Sequence, residues 1–423
     1  MYKIMNKKTL LALLCCSALA LTACNDDQDQ KTSVDQVTEP TLMSFAKLPV
    51  ETYAIGPDSG NAVSGANGIY PPFKGQPVQG FSAALKNEDG SYMAMSDNGF
   101  GTQDNSADYL LRIYKIKADF RTKNKGTGQV SVQSFIQLRD PNKRIPFEIV
   151  NGNTSERLLT GADFDPESMQ RAADGSYWIG DEFGPYLLHF SAEGILLDAP
   201  IGLPNPLNPA QELRSPQNQF NKANINFVEP LVQRSGGFEG MAISPDGKYL
   251  YPLLEKPLLN DATGQLLISQ FDIQKKSYTG QYYWFALNSK ATNIGDFQLF
   301  SDKDGIIIER DASQNNLGGY KQLIRVTLTE PKQMVAREDL VNLIKIANPN
   351  SLYGTARDGD IGTGQVFAFP FETIEDVIIE NGTTLTVLND NNFPGSSGRN
   401  AKLADDNEII QIRLPKALFL NAG

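Results

Sequence analysis

The chain has 423 residues, a formal net charge of −11, three cysteines and a single histidine. One histidine excludes a His-rich zinc site, and the acidic balance excludes nucleic acid and anionic lipid as electrostatic partners. Neither a Gly-x-x-x-x-Gly-Lys-Ser/Thr phosphate loop nor a Gly-x-Ser-x-Gly nucleophile elbow is present, which removes two further hydrolase chemistries.

The first predicted element is a leader. Lys3, Lys7 and Lys8 precede TLLALLCCSALAL, an apolar run too short for a stop-transfer helix. It ends in Leu21-Thr22-Ala23-Cys24, a pattern similar to the bacterial lipobox. Residues 1–23 are therefore read as a lipoprotein signal peptide, with Cys24 as the lipidated first mature residue and 24–41 as a flexible tether. Two acyl chains on Cys24 suffice for stable anchoring in the cell envelope. Asn25 in second place points to the outer membrane, facing periplasm or exterior. Cys15 and Cys16 leave with the leader, so the mature domain has no disulfide, thiolate metal site or cysteine nucleophile.

Residues 42–423 read as one all-β domain. Asp89-Gly90, Asp174-Gly175, Asp246-Gly247, Asp304-Gly305 and Asn381-Gly382 are hairpin signals, expected to form two-residue turns. Each precedes a short strand that runs into acid: Asp97, Asp181-Glu182, Glu255, Glu309 and Asp390. A third strand and sometimes a fourth follow. Repetition of one antiparallel unit predicts a β-propeller of five to six blades, mostly four-stranded. Five units are countable, and a sixth has room in 199–236 or 330–370. Helical signals are confined to REDLVNLIKIA (337–347) and a short turn near TIEDVI (373–378). The stretch 42–55 is expected to supply an outer strand to the last blade and close the ring, which removes exposed edges. The Pro/Asn-rich insert 199–236 reads as an excursion over one face, a lid or a spacer.

First-strand polar residues precede the second-strand acids by 13 to 16 positions, as in Glu167 to Glu182 and Glu239 to Glu255. A hairpin of that length brings both to one end of the sheet. Carboxylates from several blades then converge on one mouth of a central channel. Such a cluster needs a cation, basic partners or protons. Ca²⁺ suits it, being a hard ion that takes six to eight oxygens. Lys256, Arg310, Arg357 and Arg399 are the basic candidates for an anionic substrate. The competing reading has the acids as structural acceptors of backbone N–H bonds that staple the blades. His189, in the predicted strand YLLHF, is assigned a cross-strand or surface role.

GFSAALKNEDGSYMAMSDNG, DPESMQRAADGSYWIGDEFGPYLLHFSAEG, GGFEGMAISPDGKYLYPLLEKPL, IIIERD and VLNDNNF occur in this order. Together they resemble the bacterial phytase-like family described as having esterase-like activity of phytase. The resemblance spans about residues 45–415 and implies a propeller fold and an exported phosphoesterase or esterase. It carries over to Asp97, Glu167, Asp181, Glu182, Glu239, Glu255, Glu309 and Asp390 as motif acids, with Arg310. The chain departs from the ligand set of the calcium-dependent propeller phytases, which counts against phytate as substrate.

The expectation is a metal-assisted hydrolase of phosphate or carboxylic esters at the channel mouth. All eight acids are candidate Ca²⁺ ligands. Glu182, Glu239 and Arg310 are the candidate catalytic residues, with Arg310 steadying the substrate oxyanion. The alternative is a non-catalytic propeller that presents its channel face to a glycan, peptide or protein. No heptad or broad apolar stripe calls for a partner helix, so the expected state is a monomer.

Overall fold

The structure, a computed structural model, describes residues 37–419. The predicted leader and Cys24 lie outside the described residues.

Antiparallel strands form five successive units. The first contains Phe81–Lys86, Tyr92–Ser96, Arg112–Asp119 and Gln129–Gln137. The second contains Pro166–Arg171, Tyr177–Asp181, Tyr186–Phe190 and Ile201–Asn205, with Asn208–Leu213 as a fifth strand. The third runs Phe238–Ile243, Tyr249–Leu254, Gln265–Asp272 and Ser277–Ala286. The fourth runs Asn293–Leu299, Asp304–Arg310, Lys321–Thr327 and Ala336–Asn342. The fifth joins Ile374–Asn381, Thr384–Asn389 and Asn407–Arg413 to Thr41–Leu48 from the other end of the chain. That last pairing is the expected closure, with Thr41 opposite Arg413 and Leu48 opposite Asn407.

The first strands of consecutive units are neighbours, and the fifth unit's first strand returns to that of the first unit. The result is a closed, propeller-like ring. Its apolar core lies between adjacent sheets. Ile306 and Ile308 of the fourth unit pack with Ile374, Val377 and Val387 of the fifth, all fully buried. Each such side chain stabilises the fold by about 1.5–3 kcal/mol.

Several local expectations are corrected. The hairpin loops of the first two units have three residues, not two: Asn87 and Ala172 N–H groups bond Ser91 and Ser176 carbonyls. Gly90 and Gly175 have φ of 72° and 85°, and each follows an Asp that accepts the next-but-one N–H. Only the glycine needs the left-handed region, as in a type I turn with a glycine bulge. Asp304-Gly305 is not a turn but the start of a strand, with Gly305 opposite Leu299.

Residues 337–347 are not helical. Ala336–Asn342 is the outer strand of the fourth unit and Ile346–Ala347 a short bridge to Val366–Phe367. The apolar spacing there also fits an edge strand, and pairing with Lys321–Thr327 overrides it. TIEDVI is likewise the first strand of the fifth unit. The insert 199–236 adds strands to the second unit and a four-residue helix, Gln219–Lys222. Neither it nor 330–370 forms a further four-stranded unit.

Candidate acidic channel site

Each of the five first strands carries a β-bulge at the same place. Register shifts fall between Phe81 and Ala83, Pro166 and Ser168, Phe238 and Gly240, Ile294 and Phe297, and Ile374 and Asp376. The extra residues are Ser82, Glu167, Glu239, Gly295-Asp296 and Glu375. A bulge kinks its strand and re-aims the side chain that it carries. One pair beyond the bulge, the second strand leaves the ladder. Asp97, Glu182 and Glu255 bond there through N–H to the carbonyls of Gly80, Asp165 and Gly237, each at 2.9 Å. Asp390 and Arg310 occupy the matching positions in the fifth and fourth units.

The bulged Glu167, Glu239 and Glu375, with the five second-strand positions, line a cavity of about 420 Å³. Its acids are Asp97, Asp165, Glu167, Glu182, Glu239, Glu255, Glu372, Glu375 and Asp390, and its cations are Lys256 and Arg310. Of the eight acids expected from sequence, Asp97, Glu167, Glu182, Glu239, Glu255 and Asp390 meet here. Asp181 and Glu309 do not. Side chains alternate along a strand, so a residue next to a cavity position faces away. Asp181 accepts the N–H groups of Asp165 at 2.8 Å and Gly184 at 2.7 Å. It is a staple. Glu309 accepts both Arg337 Nη atoms, at 2.8 and 2.7 Å, the Tyr320 hydroxyl at 2.7 Å and the Asn288 N–H at 2.6 Å.

Arg310 stands where four other units place a carboxylate. Its Nη2 donates to Glu239 Oε1 at 3.1 Å and Glu375 Oε1 at 3.0 Å, with Glu255 Oε1 at 3.6 Å. Its Nε has no partner. Lys256 pairs with Glu255 at 3.1 Å. The other two basic candidates are engaged elsewhere: Arg399 with Glu408 at 2.7 Å, Arg357 with Asp360 at 3.2 Å.

Asp165, Glu372 and Glu375 were missed as site residues. A signal existed for Glu375, which precedes Asp390 by fifteen positions, as Glu167 precedes Glu182. Reading TIEDVI as a turn concealed it.

Burial pushes most of these carboxyls up. For Asp97, burial is reinforced by the charges of Asp390 and Asp165. For Glu167 the added charges are Asp165 and Glu239. Glu239 is raised by burial and by Glu255 and Glu375, against the pull of Arg310. Glu375 is raised to about 8 by burial, then by Asp390. Asp390 is raised to about 6 by burial, opposed by the Asn392 N–H. The forces on Glu182 are burial and the charges of Asp165, Glu255 and Glu239, offset by Lys256. One oxygen from each of Glu182, Glu239 and Glu255 lies within 4.8 Å of the others.

Buried acids outside the cavity set a pH dependence. Burial raises Asp296 to about 6 and Asp405 to about 7, and raises Asp376 well above the carboxylate range. Both Asp376 oxygens lack a hydrogen-bond partner. The unfolded chain releases these protons near pH 4, whereas the folded chain keeps those of Asp296 and Asp405 until about pH 6–7. Stability should therefore fall as pH rises from 4 to 7 in the presence of chelator. Melting temperatures measured at pH 5 and pH 7.5 check this, and a higher value at pH 7.5 contradicts it.

His189 forms the other arrangement with a catalytic look. Nδ1 lies 2.7 Å from Asp198, Nε2 lies 3.0 Å from Ser176 Oγ, and the ring stacks on Trp178 at 4.1 Å. However, Ser176 donates its own proton to Asp174 at 2.6 Å. Ser91 makes the same turn contact to Asp89 in the first unit, with no histidine. Ser176 is buried, so it is a turn residue and no nucleophile. Ser176→Ala is expected to leave any ester hydrolysis unchanged while lowering the melting temperature. A loss of turnover in the folded variant would refute that assignment.

The bulged acids and the arginine among them lie within the segment that identifies the chain. Residues 76–393 match the model of a family called phytase-like, described as esterase-like activity of phytase. The chain belongs to the phytase-like family. An uncharacterized secreted protein of Arthroderma benhamiae is 37% identical over 191 residues, which is 38% of this chain and 36% of the relative. The match therefore spans about a third of that relative's length. Among solved structures, an endo-arabinanase from Bacillus licheniformis aligns at TM-score 0.36 and 11% identity, over 81% of this chain and 96% of its own. A periplasmic gluconolactonase from Pseudomonas aeruginosa aligns at 0.33 and 12%, over 89% and 100%. A luciferin-regenerating enzyme aligns at 0.34 and 9%, over 78% and 75%. Among the described residues, no helix is long and apolar enough to cross a membrane.

Proposed function

We propose that this phytase-like protein is a five-bladed propeller that hydrolyses phosphate or carboxylic esters at its acidic channel mouth, assisted by a divalent cation. The observation that carries the reading is the convergence of Glu182, Glu239 and Glu255 within 4.8 Å in a buried cavity. The donor set fits Ca²⁺: it is all oxygen, strongly acidic and short of counter-charge. Glu182, Glu239 and Glu255 would hold the ion, and Asp390 would supply charge around it. A bound ion would polarise an ester or phosphoryl oxygen and acidify a bound water. Arg310 fixes Glu239 and Glu375, and its positive charge in the cavity lining would face an oxyanion. Glu167 and Asp97, pushed well above the usual carboxylate range by burial and neighbouring charge, would be suited to give a proton to a leaving oxygen.

Export fits this chemistry, since millimolar calcium is available outside the cytoplasm. Lipid on Cys24 would tether the domain to the cell envelope, with the outer membrane as the site. The binding-module alternative draws support from the insert, where Leu207, Ile225 and Phe227 are 66%, 51% and 53% exposed.

The test is a hydrolysis screen on p-nitrophenyl phosphate, bis-p-nitrophenyl phosphate, p-nitrophenyl acetate and phytate, with calcium and with chelator. At least one monoester should be turned over in calcium, with chelator or Glu239→Gln abolishing it. No turnover of any substrate would sink the hydrolase and favour the binding module.

A further inference from the structure

The three carboxylates that converge in the channel are not held alike. Glu239 is fixed by Arg310 at 3.1 Å. Glu255 accepts from Asn293 Nδ2 through Oε1, and Arg310 stands 3.6 Å from the same oxygen. Glu182 is 6% exposed and lines the cavity, and among the described residues no donor reaches its carboxyl. A buried carboxylate without a donor is costly unless something outside the chain completes it.

Lys256 is the fourth member of this group. Its ammonium lies 3.1 Å from Glu255 Oε2, the oxygen that Asn293 leaves free. Its charge also favours the ionised form of Glu182. The ammonium is anchored from behind. Nζ donates to Ser235 O and, at 3.4 Å, to Arg234 O, both at the end of the 199–236 insert. Ser235 is itself fixed: its φ is 46°, left-handed for a residue with a Cβ, and its N–H donates to Gln217 Oε1 at 2.7 Å. The lysine stem runs over Gly236, where a Cβ would come within 3.0 Å of Lys256 Cβ and 3.2 Å of its Cδ. The insert thus aims one tethered positive charge at the acids.

We infer that Lys256 is a built-in competitor for the cation of this site and sets its affinity. Glu255 does not need the lysine for its position. Asn293 holds its Oε1, and its own N–H is bonded to Gly237 O at 2.9 Å. A divalent ion shared by Glu182, Glu239 and Glu255 has to displace or outweigh the ammonium. Lys256 gives way without unfolding anything, because its side chain is 29% exposed and keeps Ser235 O and Arg234 O as partners. The result is a weakened site whose ion exchanges with the surroundings, not a locked structural ion. This inference rests on the metal reading above.

The experiment reads binding and needs no turnover. Calcium is titrated calorimetrically at pH 7.5 into chelator-stripped protein, into Lys256→Met, Lys256→Gln and Lys256→Arg, and into Lys222→Met. Lys222 belongs to the same insert but bonds Gln103 at 2.8 Å, outside the lining of the acidic cavity. Removing a unit charge a few ångströms from a divalent ion should tighten calcium binding by roughly tenfold or more in the Met and Gln variants. Lys256→Arg and Lys222→Met should bind like the parent. Should Lys256→Met fail to fold, Lys256→Gln carries the test, because its amide keeps a donor while losing the charge. The competitor is overturned if the neutral variants bind calcium no more tightly than the parent, which would make the lysine a prop for Glu255. It is overturned equally if Lys256→Arg tightens binding as much, or if Lys222→Met gives the same gain, which would reduce the effect to net charge. Calcium binding to none of the proteins sinks the metal reading itself, and the competitor with it.

Discussion

Adding millimolar Ca²⁺ to chelator-stripped protein should raise its melting temperature by about 3 °C at a hundredfold excess over Kd. Ligand at that excess stabilises a native state by about 2.7 kcal/mol. A domain of this size then shifts by about 1 °C per kcal/mol, from per-residue unfolding entropies. Glu182→Gln or Glu239→Gln should remove most of the increment. Glu309→Gln is the control: it faces Arg337 and Tyr320, outside the cavity. That variant should melt earlier than the parent and still gain the full calcium increment. Magnesium should give a smaller rise, because it needs a tighter octahedral cage and sheds water reluctantly. Equal curves in calcium and chelator would remove the metal and leave the acids as protonated or stapling groups.

Replacing Arg310 should do the largest damage to stability. The guanidinium is buried, and its Nη2 faces Glu239, Glu375 and Glu255 at 3.0–3.6 Å. Removing one member of a buried charged set leaves the others uncompensated, at a cost of roughly 3–5 kcal/mol. Arg310→Met at pH 7.5 should show that loss in urea unfolding. Part of it should return at pH 5, where the freed carboxyls take up protons. Glu375 is already pushed up to about 8 with Arg310 present, and losing the cation raises it further. Its unfolded counterpart titrates near pH 4, so the stability it withholds grows as pH rises from 4 to 8. Glu375→Gln in the Arg310→Met background should also restore stability, since contacting residues couple. A loss below about 1 kcal/mol, or one independent of pH, would place little charge on this contact.

Much of this fold was legible because its units repeat. Asp-Gly pairs, strands and acids recur at near-constant spacing, and the stretch 42–55 expected to close the ring holds most of the strand Thr41–Leu48 that does so. The site was legible for the same reason in the units that use carboxylates. It failed by one residue in the fourth unit. There Glu309 and Arg310 are adjacent, and the choice between them depends on ladder register, which composition does not encode. Asp181 against Glu182 posed the same ambiguity, since both are acids. The bulges were invisible as well. Two residues facing one leave no fixed trace in sequence, yet they set which side chain enters the cavity. TIEDVI shows a third limit. Its central Glu375-Asp376 pair suits a turn, while its β-branched residues and the ring around it favour the strand that forms.

The central claim is that a divalent cation sits among Glu182, Glu239 and Glu255. Crystals grown with Mn²⁺ in place of Ca²⁺, measured at the manganese edge, test it directly. The account predicts an anomalous peak between these three carboxylates, lost in crystals of Glu239→Gln. A cavity with no peak, and with Glu239 still held by Arg310, would contradict it.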